Sequence, residues 1–194
     1  MILLSCAALS PVSMARGGLA SFADIEEVVP EWQPLEADVD FFSGKIVRPK
    51  LEFWVVRFDL ASQEKRIVVK GGSGDDPTLN TKVSSFVRDN GLIAGINAVP
   101  FDIVTGKEGI PVTNIGIVIS DGRLIAPVSP SFDALVIYTD GRAAIVSQTA
   151  IRSFENIESA AGGFFQVLKS GELADRTLEL EERHPRSAAG ISAN

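Results

Sequence analysis

The chain has 194 residues, of which 45% are hydrophobic and 22% are charged, and its formal net charge at pH 7 is −7. This size and composition predict one globular domain and exclude a disordered chain. The negative charge argues against nucleic acid and acidic membranes as partners, because both need a positive field. A single cysteine and a single histidine exclude an internal disulfide and argue against a Cys/His zinc site. We therefore expect neither a metal nor a cofactor.

The first segment, residues 1–22, is apolar and rich in small residues, and it has two interpretations. Ser13-Met14-Ala15 is similar to a signal-peptidase site, and Leu3-Leu4-Ser5-Cys6 resembles a bacterial lipoprotein box, which would place a lipid anchor on Cys6. No basic residue precedes the stretch, so an ordinary buried first element is the alternative. We expect an exported protein, which is periplasmic, an outer-membrane lipoprotein or extracellular. The sequence contains no run of about 20 apolar residues, so it predicts no membrane-spanning segment.

Residues 23–50 are predicted to be an irregular arm, because Pro30, Pro34 and Pro49 interrupt any long element. Phe41 and Phe42 either anchor this arm or belong to a first strand. Residues 51–60 have the β-branched and aromatic content of a strand, and residues 66–70 are its predicted hairpin partner. The glycine-rich residues 71–77 that follow lack the spacing of a calcium loop and indicate a flexible connection.

The remaining elements are short. Residues 81–90 predict a helix that Asn80 or Thr81 caps and that ends at Asn90-Gly91. Strands are expected at residues 92–96, 114–120, 124–127, 134–138, 143–146 and 186–192, with an apolar stretch at 160–168, and turns at Asp121-Gly122, Asp140-Gly141 and Ser170-Gly171. The sequence therefore predicts one α+β domain over residues 51–194. It is β-rich, with few helices and a mixed or antiparallel sheet.

Four segments in this order resemble motifs of the phosphodiester glycosidase family. They are Asn97-Ala-Val-Pro-Phe101, Asn114-Ile-Gly-Ile117 with its Asp-Gly turn, Gly162-Gly-Phe-Phe165 and Arg186-Ser-Ala-Ala-Gly190. The family pattern has two glycines and an aromatic residue where this chain has Ala98, Val99 and Pro100. The family also continues into an Asn-Leu-Asp-Gly-Gly-Gly-Ser loop that this sequence does not contain.

The resemblance implies hydrolysis of a sugar-1-phosphodiester, on an exported or envelope glycan, with a phosphorylated sugar or glycan as the partner. The missing loop leaves two alternatives open, a non-catalytic phospho-sugar-binding module and an inactive fragment. The sequence makes no prediction of oligomeric state.

Candidate site residues follow from the chemistry that this reaction needs. Arg186 is the expected catalytic cation, since a guanidinium binds phosphate oxygens with two parallel hydrogen bonds. Its alternative is a surface ion pair with Glu181 or Glu182. Asp102 is the expected catalytic carboxylate, and its alternative is a residue that caps the turn after Phe101.

The resemblance implies that Asn97, Phe101, Asn114, Gly163 and His184 contact substrate. Asn97 could instead satisfy buried backbone at the end of a strand, and His184 could be a solvated histidine. The central expectation is that Arg186 and Asn97 converge on one pocket for a phosphorylated sugar.

Overall fold

The computed structural model describes residues 28–48, 50–62, 64–71, 77–174 and 185–192, together with the backbone of residues 2–8. The chain forms two compact units. We call Met1–Asp59 with Thr177–Asn194 the terminal unit and Leu60–Arg176 the middle unit. The predicted β-rich architecture with few helices is confirmed. Every strand pairing in the described residues is antiparallel, so the mixed alternative is not needed.

The terminal unit is a five-stranded antiparallel sheet with the order β14-β1-β4-β3-β2. With strands numbered along the whole chain, its members are β1 (Ile2–Ala8), β2 (Gln33–Glu36), β3 (Val39–Ile46), β4 (Leu51–Phe58) and β14 (Arg186–Ile191). The strands predicted at residues 51–60 and 186–192 are thus confirmed. Phe41 and Phe42 lie in β3, which is the second of the two roles expected for them.

The pairing of β3 with β4 runs without a break from Val39 opposite Phe58 to Ile46 opposite Leu51. Val39, Phe42, Ile46 and Val55 are buried. Alternation places Phe42 and Ile46 on one face, together with Val55 opposite Phe42, and Val39 on the other. The ring of Phe42 packs on Trp32 and Phe53, with centroid distances of 5.7 and 5.5 Å. These contacts hold the sheet together through one aromatic cluster.

The middle unit contains a second five-stranded antiparallel sheet with the order β10-β9-β11-β7-β8. Its strands are β7 (Val118–Ser120), β8 (Arg123–Ala126), β9 (Asp133–Tyr138), β10 (Ala143–Ser147) and β11 (Ile157–Gly162). Two short ribbons pair β5 (Thr78–Leu79) with β6 (Pro111–Val112) and β12 (Leu168–Lys169) with β13 (Glu172–Leu173). The helix α1 (Val83–Asp89) and a 3-10 turn at Gln148–Ala150 complete the unit among the described residues.

The hairpin turns form because their residues tolerate a left-handed backbone. Asp121 and Gly122 have φ angles of 47° and 74°, which is the conformation that a tight two-residue hairpin turn requires. Gly141 and Gly171 end the other two turns with φ angles of 83° and 82°. The three predicted turns are confirmed, and each joins adjacent antiparallel strands.

The core of the middle unit lies on one face of the second sheet. It consists of the buried side chains of Ile117, Ile119, Ala134, Val136, Ile157 and Ala160. Tyr138, Val146, Ile151 and Phe154 pack against it. The spacing of Ile117 with Ile119 and of Ala134 with Val136 follows from the two-residue period of a strand. Ile157 and Ala160 are three residues apart, because the register of β11 shifts between Ile157 and Ser159.

The predicted helix is confirmed, although its predicted N-terminal cap is wrong. Lys82 occupies the capping position, and the Lys82 amide donates to Glu108 Oε1 at 2.8 Å. Asn80 instead bridges the loop after residue 102, because its side chain donates to Lys107 O at 2.6 Å and accepts from the Ile110 amide at 2.8 Å. The predicted stop is confirmed, since Gly91 has a φ angle of 61°.

Two predicted strands are wrong. Residues 66–70 and 92–96 are irregular. The second segment packs on the helix instead of a sheet. The Leu92 amide donates to Val87 O at 2.9 Å, and a Cβ added at Gly95 would lie 2.7 Å from the Val87 side chain. Residues 92–96 have the apolar composition of a strand, but they contact α1 and pair with no strand in the described part of the chain.

The apolar stretch at 160–168 divides into two parts, since β11 ends at Gly162 and the β12 ribbon begins at Leu168.

No helix in the described ranges is long and apolar enough to cross a membrane. Cys6 lies in β1, and its predicted lipidation stays a prediction. Residues 72–76 and 175–184 lie outside the described residues, and so does most of the glycine-rich connection predicted at residues 71–77.

Candidate functional site

The structure brings three of the predicted site residues together on one ribbon of the middle unit. Phe101 and Asn114 face each other in an antiparallel bridge. The Ile115 amide donates to Pro100 O at 2.8 Å, and the Asp102 amide donates to Thr113 O at 3.2 Å. The segment that carries Asn97 therefore continues into a ribbon with the segment that carries Asn114.

Asp102 fastens this ribbon with its side chain. The exposed carboxylate accepts a hydrogen bond from the Thr113 amide to Oδ1 at 2.9 Å. This hydrogen bond holds the pKa of Asp102 below its ordinary value, against a smaller opposing effect of desolvation. The group is therefore ionised at neutral pH, which suits a carboxylate that stabilises positive charge and does not suit a general acid. The geometry matches the turn-capping alternative, and the catalytic role stays a prediction.

Asn114 has its amide held in one orientation. Its Nδ2 donates to Thr78 Oγ1 at 2.9 Å, and the side chain is half-buried. Thr78 itself is fixed in β5, where it pairs with Val112 of β6. Because Nδ2 is used in this way, Oδ1 is the acceptor that this side chain retains.

A cleft of about 340 Å³ lies beside Asn114. The residues that line it include Thr78, Thr113, Asn114 and Arg123, which are polar, and Val112 and Ile125, which are aliphatic. The volume lies at the lower end of the range of about 300–1,000 Å³ that is typical of small-ligand sites.

Glycines of two motifs surround one buried side chain, that of Gln148. A Cβ added at Gly116 would lie 3.0 Å from Gln148 Nε2, and one added at Gly162 would lie 2.9 Å from the same atom. Gly116 also has a φ angle of 116°, which favours glycine. These two motif positions are therefore explained by close packing around an amide.

A family model described as phosphodiester glycosidase matches residues 90–194, which is more than half of the chain. The chain belongs to the phosphodiester glycosidase family. The matched residues include all four motifs that carried the resemblance. Neither a search of curated proteins nor a search of solved structures finds a match to this chain.

Gln148 is a buried polar residue of this family member that the sequence does not predict. It is fully buried, its Oε1 accepts from the amides of Ile117 and Ser129 at 2.9 and 2.7 Å, and its Nε2 donates to Asp133 O at 3.0 Å. One side chain thus joins the segment at Ile117 to the segment from Ser129 to Asp133. The two motif glycines indicate only that another group approaches their backbone closely, and they do not identify that group as Gln148.

The other predicted residues of the middle unit lie apart from the cleft. Asn97 is exposed and makes no side-chain hydrogen bond within the described ranges, so its alternative role of satisfying buried backbone is not seen. Gly163 donates its amide to Asp133 O at 2.8 Å, so this N–H group is already used. Neither residue, nor Phe101, is part of the cleft lining. Their contact with substrate stays a prediction.

Arg186 begins β14 in the terminal unit, opposite Ala7 of β1, and is exposed. Its predicted convergence with Asn97 stays a prediction, because the two residues belong to different compact units. His184 lies outside the described residues, as do Glu181 and Glu182, the alternative partners of Arg186. In the part of the chain that the structure describes, no cluster of three or more His, Cys, Asp or Glu side chains could hold a metal ion.

Proposed function

We propose that this chain hydrolyses a sugar-1-phosphodiester. The observation that carries the proposal is the family match over residues 90–194. The cleft beside Asn114 supports it, because an oriented amide, two hydroxyl side chains and an arginine surround a volume suited to one sugar. Family membership alone gives the reaction class, and the sugar-1-phosphodiester is our proposal for the substrate.

In the proposed reaction, the oxygen of a water molecule bonds to the anomeric carbon while the bond from that carbon to the phosphate oxygen breaks. The electron pair of the broken bond leaves on the phosphate, and the water releases one proton to the solvent. The products are the free sugar and a phosphomonoester. Because phosphate is a good leaving group, the protein has to stabilise the departing phosphate and the oxocarbenium-like carbon more than it has to donate a proton.

We assign each role to the residue whose chemistry suits it. The ionised Asp102 would stabilise positive charge at the anomeric carbon through Oδ2, since Oδ1 accepts from Thr113. Asn114 would orient a sugar hydroxyl through Oδ1. Arg186 keeps the phosphate-binding role that its motif predicts, and a substitution tests that role by itself.

The decisive experiment measures release of free N-acetylglucosamine from UDP-N-acetylglucosamine by the purified chain. We expect turnover that falls about 10²- to 10³-fold in Arg186→Ala, as for loss of one donor to a developing anion. Arg48→Ala is the matched control, because Arg48 is also an exposed arginine of the terminal unit. Absence of product from wild-type protein that unfolds cooperatively would refute the hydrolysis, and equal activity of the two variants would remove Arg186 from the mechanism.

A second candidate is a binding module that holds a phosphorylated sugar without turnover. The hydrogen bond of Asp102 to the Thr113 amide favours it, because the predicted catalytic carboxylate already has a structural role. In this case N-acetylglucosamine-1-phosphate would stabilise the protein by RT ln(1 + [L]/Kd), so the unfolding temperature would rise with ligand concentration, with no product formed.

The apolar N-terminal stretch also leads us to propose export to the cell envelope, where a glycan phosphate would be the substrate. Cell fractionation of the wild type and of Cys6→Ser tests this location and the lipid anchor together. Recovery of both proteins in the cytoplasm would refute it.

A further inference from the structure

Arg123 is an arginine of the cleft wall that none of the family-like motifs includes. It is the first residue of β8, directly after the Asp121-Gly122 turn, and it pairs with Ser120 across the hairpin. The turn is fixed from outside as well, because the Gly122 amide donates to Glu158 O at 2.8 Å. The backbone that carries Arg123 is therefore rigidly placed at the edge of the cleft.

The charge of Arg123 is not neutralised within the described residues. Arg88 and Arg142 of the same unit each form an ion pair with a neighbouring carboxylate at 2.8 Å, while Arg123 forms none. Among the described residues that line the cleft, Arg123 is the only charged one, so it places a positive charge at the cleft surface of a chain whose net charge is −7. The ionised Asp102 accepts from the amide of the lining residue Thr113 and is not itself part of the lining. The position of Arg123 suits an anionic group of a ligand.

The neighbouring side chains add directional hydrogen bonds. Asn114 lines the same cleft as Arg123, and the Asn114 amide is held by Thr78. A guanidinium presents two parallel N–H groups to phosphate oxygens, and an amide can hydrogen-bond to a sugar hydroxyl. Val112 and Ile125 add aliphatic groups to the lining, which suit the carbon face of a sugar ring.

We propose that Arg123 binds the phosphate of a phosphorylated monosaccharide that occupies this cleft, with Asn114 bound to a hydroxyl of its ring. The inference rests on the proposed function for the class of ligand, and on the cleft itself for the position of the anion. It makes Arg123 a specificity-determining residue in addition to the predicted Arg186.

The test is a set of calorimetric titrations of the purified full chain with N-acetylglucosamine-1-phosphate, inorganic phosphate and N-acetylglucosamine. We expect Arg123→Gln to weaken binding of the sugar phosphate about 10- to 100-fold, as for loss of a charged hydrogen bond, and to leave the weak binding of the free sugar unchanged. Arg152→Gln is the matched control, because Arg152 is exposed in the same unit, forms no ion pair in the described residues and lies outside the cleft. Thermal unfolding establishes that both variants are folded.

Three results would overturn the inference. They are unchanged affinity in Arg123→Gln, equal losses in Arg123→Gln and Arg152→Gln, and no binding of the sugar phosphate to the wild type at millimolar concentration. Tighter binding of inorganic phosphate than of the sugar phosphate would also refute a sugar site. The outcome is separable from that of the hydrolysis assay. If Arg123→Gln loses binding and the wild type shows no turnover, the phosphate site is supported and the hydrolysis is refuted. If the wild type turns over and Arg123→Gln keeps the same affinity and the same kcat/KM, the hydrolysis is supported and the role of Arg123 is refuted.

Discussion

Replacement of Gln148 by alanine is expected to destabilise the middle unit strongly. The change would leave the amides of Ile117 and Ser129 without a partner, whereas the carbonyl of Asp133 would lose one of two hydrogen bonds and keep the one from the Gly163 amide. An orphaned buried backbone group costs about 1–3 kcal/mol, and only the Ile117 bond is fully buried, while the other two are half-buried. With the cavity that remains, we expect the free energy of unfolding to fall by about 3–5 kcal/mol.

This loss is large against the total stability of about 5–15 kcal/mol that is typical of a protein. Urea denaturation followed by circular dichroism measures it, and the unfolding temperature should fall by about 6–20 °C. Gln166→Ala is the matched control, because Gln166 is half-buried and its side chain makes one hydrogen bond, from Nε2 to Ile145 O at 3.2 Å. We expect that variant to lose about 1 kcal/mol.

Equal losses in Gln148→Ala and Gln166→Ala would refute the reasoning. A double-mutant cycle gives a second check. Gly162→Ala should be costly in the wild type, where its Cβ would lie 2.9 Å from Gln148 Nε2, and less costly in Gln148→Ala, where that atom is gone. The Ile117 carbonyl, 3.2 Å from the same Cβ, would keep part of the cost in both backgrounds.

Two further predictions concern the same unit. Gly116→Ala should lower the free energy of unfolding by about 2–4 kcal/mol, because it combines backbone strain at a φ angle of 116° with a contact of 3.0 Å to Gln148. The control is Gly109→Ala, at a φ angle of 77° with no atom within 4 Å of the added Cβ, which should lose about 1–2 kcal/mol. A larger loss in Gly109→Ala than in Gly116→Ala would contradict the packing argument. Asp102→Asn should remove a component of stability that is pH-dependent. Since the folded-state pKa of Asp102 is lowered, the carboxylate stabilises the fold above its unfolded-state pKa, and this stabilisation is lost as pH falls through the folded-state pKa. Urea titrations at several pH values should therefore show wild type and Asp102→Asn differing at neutral pH and converging in acid, and a constant difference would contradict the assignment.

The sequence was informative where structure is decided by neighbouring residues. The Asp121-Gly122 turn and the helix stop at Gly91 were predicted because a left-handed backbone needs particular residue types. The strand expected at residues 92–96 was wrong because its apolar residues pack on α1, and composition does not identify the element against which a segment packs.

The residues of the candidate site also divide into those that the sequence predicts and those that it does not. Asn114 was predicted because it lies in a motif that resembles those of a known family. Thr78 and Arg123 were not predicted, since they reach the cleft from β5 and β8, and only the paired strands bring those segments beside Asn114. Gln148 was missed for a related reason: its hydrogen-bond partners at Ile117 and Asp133 are 31 and 15 residues away, so no local pattern marks it.

Asn114 and Gly116 are two residues apart but have different structural roles. This difference in role decides how any loss of activity is interpreted. The amide of Asn114 lines the cleft, whereas Gly116 makes room for the buried Gln148. A change at Gln148 would displace the segment that carries Asn114, so activity and stability would fall together. Arg123 is exposed, so Arg123→Gln should lose affinity for a phosphorylated sugar while its unfolding temperature stays within about 2 °C of the wild type. If ligand affinity and stability instead fell in parallel in both variants, the cleft would be a packing feature of the middle unit, and phosphate recognition would have to be sought at other residues.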